Sequence, residues 1–149
     1  MKLHHALVLS AFVLLTGCAS DSARFPGLIA PSPGKAVVYI YRVDSVVDYV
    51  GVAPNVRVNY ESKGPLLVYG YIRVEVDPGP TQVALYRNDK REWGDDTYWS
   101  ATQDAIVNLT LAPNSIHFVQ LSLDRIIFSF RETSRDTALR SLPDLRLLN

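Results

Sequence analysis

The chain has 149 residues, 48% hydrophobic, 20% charged and 10% aromatic, which suits one folded domain and excludes general disorder. Fifteen Lys and Arg offset fifteen Asp and Glu, so the charge gives no reason to expect a nucleic-acid partner. Cys18 is the single cysteine, and His117 the single histidine beyond His4 and His5. An intramolecular disulfide and a cysteine metal cluster are therefore excluded, and no cofactor is expected.

Residues 1–17 read as a leader. Met1-Lys2 is a short basic start, residues 6–15 are largely apolar, and Thr16 and Gly17 are small, the layout of a secretory signal. The apolar run is too short to span a bilayer, which takes about 20 residues, and no other stretch is longer. Leu15-Thr16-Gly17-Cys18 resembles the lipobox of bacterial lipoproteins. That resemblance implies a diacylglycerol on the Cys18 thiol and cleavage before it, which explains why an otherwise cysteine-free exported chain keeps one. Two or more acyl chains convert marginal membrane binding into stable anchoring. Ala19 and Ser20 follow, and Asp21 does not stand directly after the cysteine, where an Asp retains a lipoprotein in the inner membrane. The resemblance thus implies the outer membrane, facing the periplasm.

Residues 18–34 read as the lipidated cysteine and a flexible tether. Pro26, Pro31 and Pro33 with Gly27 and Gly34 prevent a continuous helix, and such a segment spans roughly 20–24 Å. Phe25, Leu28 and Ile29 can instead dock on the domain, which would leave only the first part mobile.

Residues 35–149 read as one domain made mostly of strands. Residues 36–42 are β-branched or aromatic on both faces, as in a central strand. Residues 56–60 alternate, with Val56, Val58 and Tyr60 on one face. Residues 66–69 are a short apolar run. Ile72, Val74 and Val76 alternate with Arg73 and Glu75, the pattern of a sheet with one wet face. Asp77-Pro78-Gly79-Pro80 is a turn, so residues 71–76 and 81–87 are expected as a hairpin. Residues 105–111 and 116–123 flank Ala112-Pro113-Asn114-Ser115 and are expected as a second hairpin. Residues 126–131 form one more strand. Thr133 or Ser134 can cap a short helix carrying Ala138, Leu139 and Leu142, which Pro143 ends or kinks. The fold class expected is mostly β: an antiparallel β-sandwich with a short C-terminal helix.

Lys35-Ala-Val-Val-Tyr-Ile-Tyr-Arg42 resembles the opening strand of bacterial lipoproteins in domain-of-unknown-function family 2846. Further elements in the family's order are residues 56–59, 71–79, 82–85, 109–111 and 117–119, so the likeness spans most of residues 35–123. Where members have a tight Asn-Gly or Asp-Gly turn, residues 59–64 read as a longer one. That family resembles small envelope β-sandwich modules named for a Pro-Glu-Gly-Ala motif. Neither family supplies a catalytic residue to carry over.

The residues themselves offer little chemistry. One imidazole with no second ligand makes a poor zinc site, which needs three or four, so His117 reads as a partly exposed strand residue. Residues 87–96 are densely charged, but Asp89, Glu92, Asp95 and Asp96 lack calcium-loop spacing and Lys90 and Arg91 oppose a cation. No Ser lies in a Gly-x-Ser-x-Gly elbow, and Asp44, Asp48, Glu61 and Asp104 are scattered. Tyr39, Tyr60 and Tyr86 read as ordinary half-buried strand residues. Trp93, Tyr98 and Trp99, in or after the charged loop, are the candidate contact residues.

The leading expectation is a non-enzymatic envelope lipoprotein, held at the membrane by its lipid and serving as a binding or scaffolding module for another envelope protein. Binding of peptidoglycan or lipopolysaccharide sugars on the same aromatics is the alternative. An envelope hydrolase is the third reading.

Overall fold

The computed structural model describes residues 23–43, 53–86, 105–124 and 127–148, with the side chains of Tyr86 and Asp124 excepted. β1 (Ala36–Arg42) is buried at every position because it is the middle strand of a five-stranded sheet. The other members are β4 (Gly70–Val76), β7 (Ile116–Asp124), β8 (Ile127–Thr133) and β9 (Arg146–Leu147), in the order β8-β7-β1-β4-β9. The second sheet has the order β3-β2-β5-β6, from β2 (Asn55–Val58), β3 (Glu61–Pro65), β5 (Gly79–Tyr86) and β6 (Ile106–Leu111). The two sheets form the expected β-sandwich, with one short helix, α1 (Arg135–Ser141), near the C-terminus. The first sheet is mixed, since β1 pairs with β7, and β4 with β9, in parallel.

Strand alternation sorts the apolar residues into two cores. Val38, Ile40, Ile72 and Val119 of the first sheet meet Val56, Val58, Val83 and Leu109 of the second. Val37, Tyr39, Tyr41, Tyr71 and Phe118 point the other way, onto α1 and the chain before β1. Residues 23–34, expected as a tether, lie against that outer face. Phe25 meets Tyr39 and Tyr71 edge-on at 6.0 and 5.6 Å, and the Ile29 N–H donates to the Tyr39 hydroxyl at 3.0 Å. Of the three residues that could dock, Phe25 and Leu28 pack while Ile29 stays half exposed.

Ser134 caps α1 by accepting from the Thr137 N–H at 3.2 Å. The helix buries Ala138, Leu139 stays partly exposed, and Pro143 falls in a 3-10 turn, Leu142–Asp144, that follows at once.

Both expected hairpins are absent. β4 lies in one sheet and β5 in the other, and so do β7 and β6. Each Pro-containing turn therefore crosses between sheets. The reason is local: a two-residue hairpin needs a positive φ at its first central residue, or at both, and Pro fixes φ near −65°. Pro78 and Pro113 hold that first position, and the positive angles fall one residue later, at Gly79 (122°) and Asn114 (60°). Such turns splay two strands apart. Conversely, residues 59–64 are not a long turn. Asn59 and Tyr60 both have positive φ, 49° and 69°, and form a tight hairpin joining β2 to β3. Tyr60 accordingly leaves the Val56–Val58 face and stands 78% exposed at the tip. The run 66–69 connects β3 to β4, burying Leu66 alone.

Candidate interaction surface

The register gives the sandwich two unlike ends. At one, here the turn end, β4 crosses to β5, β6 crosses to β7, and residues 32–35 lead into β1. At the other, the loop end, β1 finishes at Arg42 opposite Gly70, and β5 finishes as β6 begins. β7 gives way to β8 there as well.

The turn end is polar and tied by many bonds. The Asn114 N–H donates to the Lys35 carbonyl at 2.6 Å, and the Gly34 N–H donates to Asn114 Oδ1 at 2.9 Å. Lys35 Nζ donates to Asp77 at 2.7 Å; that hydrogen bond, and then the charge of Asp77, holds the exposed ammonium above its ordinary range. The Ser32 hydroxyl and N–H, followed by Arg73, hold the Glu75 carboxyl below its ordinary range.

Among the described residues the loop end exposes apolar side chains as well as Arg24 and Arg146. Six large apolar side chains stand exposed among the described residues. Four of them, Leu67, Tyr69, Ile106 and Ile127, are at this end, 45–55% exposed. At the same end Arg42 is fully buried, its guanidinium 5.3 Å above the Phe128 ring, where a desolvated cation–π contact contributes about 2 kcal/mol.

Cys18, Trp93, Tyr98 and Trp99 lie outside the described residues. The chain reaches the segment 87–104 from β5 and leaves it for β6, so its described flanks are at the loop end. On the outer face, a cleft of about 290 Å³ runs between residues 26–29 and the Tyr39, Tyr71 and Arg73 side chains. Burial, then the neighbouring Tyr39, pushes the Tyr71 phenol above its ordinary range. Arg73 reaches the Ala30 carbonyl and Glu75, so the Tyr39 phenol and the Arg73 guanidinium are already bonded within the chain. Among the described residues no three His, Cys, Asp or Glu side chains are grouped to hold a metal.

The sequence did not reveal one constellation. Ser115, at the end of the crossing turn, and His117, two residues on in β7, meet Glu132 of β8. Ser115 Oγ is 3.1 Å from His117 Nε2, and His117 Nδ1 is 2.7 Å from Glu132 Oε1. The order matches a serine nucleophile, its base and an orienting carboxylate. Two features oppose that role. Ser115 Oγ donates to the Ala112 carbonyl at 2.6 Å, which takes the proton a base would accept. The nearby backbone donors are also engaged: Ser115 N–H on Ala112, Asn114 N–H on Lys35, and Lys35 N–H on Ser32. No donor pair is left there for an oxyanion. The three side chains instead pin β8 to the crossing turn. Only the pairing of β7 with β8 brings them together; the i, i+2 spacing of Ser115 and His117 was the single signal in the sequence.

In comparisons with known proteins, the chain matches no family model, no curated protein and no solved structure.

Proposed function

We propose that this chain is an outer-membrane lipoprotein facing the periplasm, held by a lipid on Cys18, and related to the lipoproteins of domain-of-unknown-function family 2846. Its sandwich is a non-enzymatic binding module for another envelope protein. The observation that supports binding is that β6 is an edge strand, with no further strand beside it among the described residues. The Leu85 N–H donates to the Ala105 carbonyl at 3.1 Å, which makes residues 107, 109 and 111 the ones bonded to β5. The backbone groups of Ile106, Asn108 and Thr110 therefore point away from the sheet. β6 has no charged residue and no proline, the devices by which exposed edges are usually blunted. β3, the opposite edge, carries Glu61, Lys63 and Pro65. β6 is thus the edge suited to accept an extended segment of a partner.

In-cell crosslinking of the anchored protein, followed by mass spectrometry, tests this. Asn108→Pro removes one outward N–H and leaves the ladder to β5 intact. The crosslinked partner is expected to fall severalfold in this variant at unchanged stability. Undiminished recovery of the same partner overturns the assignment of β6.

A further inference from the structure

We propose that the cleft on the outer face of the first sheet is a binding site for a small carboxylate with a compact apolar body, which accepts hydrogen bonds from the phenols of Tyr71 and Tyr39. The site lies apart from β6 and depends neither on a protein partner nor on a lipid at Cys18.

The first observation is a buried hydroxyl with nothing to bond. Tyr71 lines the cleft and is 2% exposed, and among the described residues its hydroxyl has no hydrogen-bond partner. The neighbouring phenols of the outer core are both bonded, Tyr39 to the Ile29 N–H at 3.0 Å and Tyr41 to Thr133 at 3.1 Å. Buried polar groups are bonded in the great majority of cases, so the exception at a cleft marks a place for a ligand atom. Packing does not require this hydroxyl. The Tyr71 ring meets Phe25 edge-on at 5.6 Å and Tyr39 at 6.1 Å, contacts that a Phe would also make. Burial, then Tyr39, holds the phenol above its ordinary range, so at neutral pH it is an O–H donor.

The chemistry of the lining sets the class of ligand. The Tyr39 oxygen accepts from Ile29, which leaves its own proton to give, so the cleft holds two O–H donors. Arg73 adds a positive charge, and no carboxylate lines the cleft among the described residues. Glu75, which shares Arg73, is itself engaged by the Ser32 N–H. Donors beside a cation favour an ionised acceptor, because charge-assisted bonds are the stronger ones. Pro26, Ile29 and Leu147 supply apolar wall, and Ile29 is 51% exposed, which is apolar surface that a ligand would cover. The volume of about 290 Å³ equals about ten water molecules at roughly 30 Å³ each. This is the lower end of the range for small-molecule pockets, and it fits one ring bearing one carboxylate.

The test uses the mature protein as cells make it, kept in phospholipid nanodiscs so that no detergent enters the cleft. Benzoate is the probe, benzamide its neutral counterpart, and acetate the same acid group without the apolar body. With carbon-13 at tyrosine Cζ, benzoate is expected to move the NMR signals of Tyr71 and Tyr39 and to leave those of Tyr41 and Tyr60 in place. Tyr71→Phe is expected to weaken benzoate about tenfold or more, the worth of one hydrogen bond to a charged group, and Tyr41→Phe to leave it unchanged. Benzamide and acetate are each expected to bind severalfold more weakly than benzoate. Benzoate that moves neither signal, or that binds Tyr71→Phe as tightly as the parent, overturns the site. Equal binding of benzamide overturns the anionic class, and equal binding of acetate overturns the apolar body. The signals of the parent decide the question even where the variant does not fold, and crosslinking through β6 is untouched by either result.

Discussion

At the turn end, short connections are tied by Lys35, Asp77, Asn114 and Ser115, each bonded across to another segment. At the loop end Leu67, Tyr69, Ile106 and Ile127 are exposed, and Arg42 is buried. The turn end satisfies its backbone groups internally and has little left to offer a partner. Among the described residues the loop end leaves two pairs of apolar side chains in water, Leu67 and Tyr69 at one edge of the sandwich and Ile106 and Ile127 at the other. The two ends thus differ in how closely their segments are tied to one another.

The sharpest way to break this division is to cut the outer core that spans both ends. Tyr39 is 1% exposed, stacks on Phe118 at 5.8 Å, meets Phe25 edge-on and receives the Ile29 N–H. Tyr39→Ala removes all of these, and large aromatic truncations in a core cost about 3–5 kcal/mol. Urea denaturation is expected to show a loss of that size. A loss under about 0.5 kcal/mol, within the range of surface substitutions, would mean that the contacts of Tyr39 with Phe118 and with residues 23–34 contribute nothing to the fold.

Much of this fold was legible in the residues, and the failures have identifiable causes. β1 declared itself by an unbroken β-branched and aromatic run, and α1 by Ser134 and its apolar spacing. The crossing turns were misread because alternation is the same whether two strands pair side by side or face each other across a core. Pro78 and Pro113 carried the missing information, since neither can take the positive φ of a hairpin's first central residue. β3 was invisible because Glu61-Ser-Lys-Gly-Pro65 has no apolar face, being an edge strand bent by a register shift beside Val56. β9 is too short to show a period. Of the site, Ser115, His117 and Glu132 come together only through the register of β7 and β8, which no local pattern encodes. Cys18, Trp93, Tyr98 and Trp99 rest on sequence alone.

A smaller effect sharpens the account of the turn end. The Ser32 N–H lies 3.3 Å from Glu75 Oε2, and the Glu75 carboxyl is held below its ordinary value of 4.5. A carboxylate with a depressed folded pKa contributes stability that is present above the ordinary value and lost as pH falls through the folded one. Protection of the Ser32 amide from hydrogen exchange, relative to the Glu75→Gln protein, is therefore expected to be greatest above about pH 4.5 and to vanish in more acid solution. The amides of β1, held by two flanking strands, serve as the internal reference. Equal protection in the two proteins at neutral pH would show that Glu75 does not hold this segment.

The smallest expected effect is none at all, and it decides what the turn end is for. Ser115, His117 and Glu132 have the order and distances of a nucleophile, a base and an orienting group. A relay of that kind also needs a proton on its way to the base and donors waiting for the oxyanion, and the loss of one such donor alone costs about 10²–10³ in rate. Here the hydroxyl proton goes to Ala112, and the adjacent N–H groups are bonded to carbonyls. Turnover of a p-nitrophenyl ester by the purified protein is thus expected to be the same for the parent and for Ser115→Ala. What should change in the variant is the hold of β8 on the crossing turn, read as faster amide exchange at Asn114 and Ser115→Ala itself. Ester turnover that disappears with the Ser115 hydroxyl would make the polar end the active one and reverse the division between the two ends.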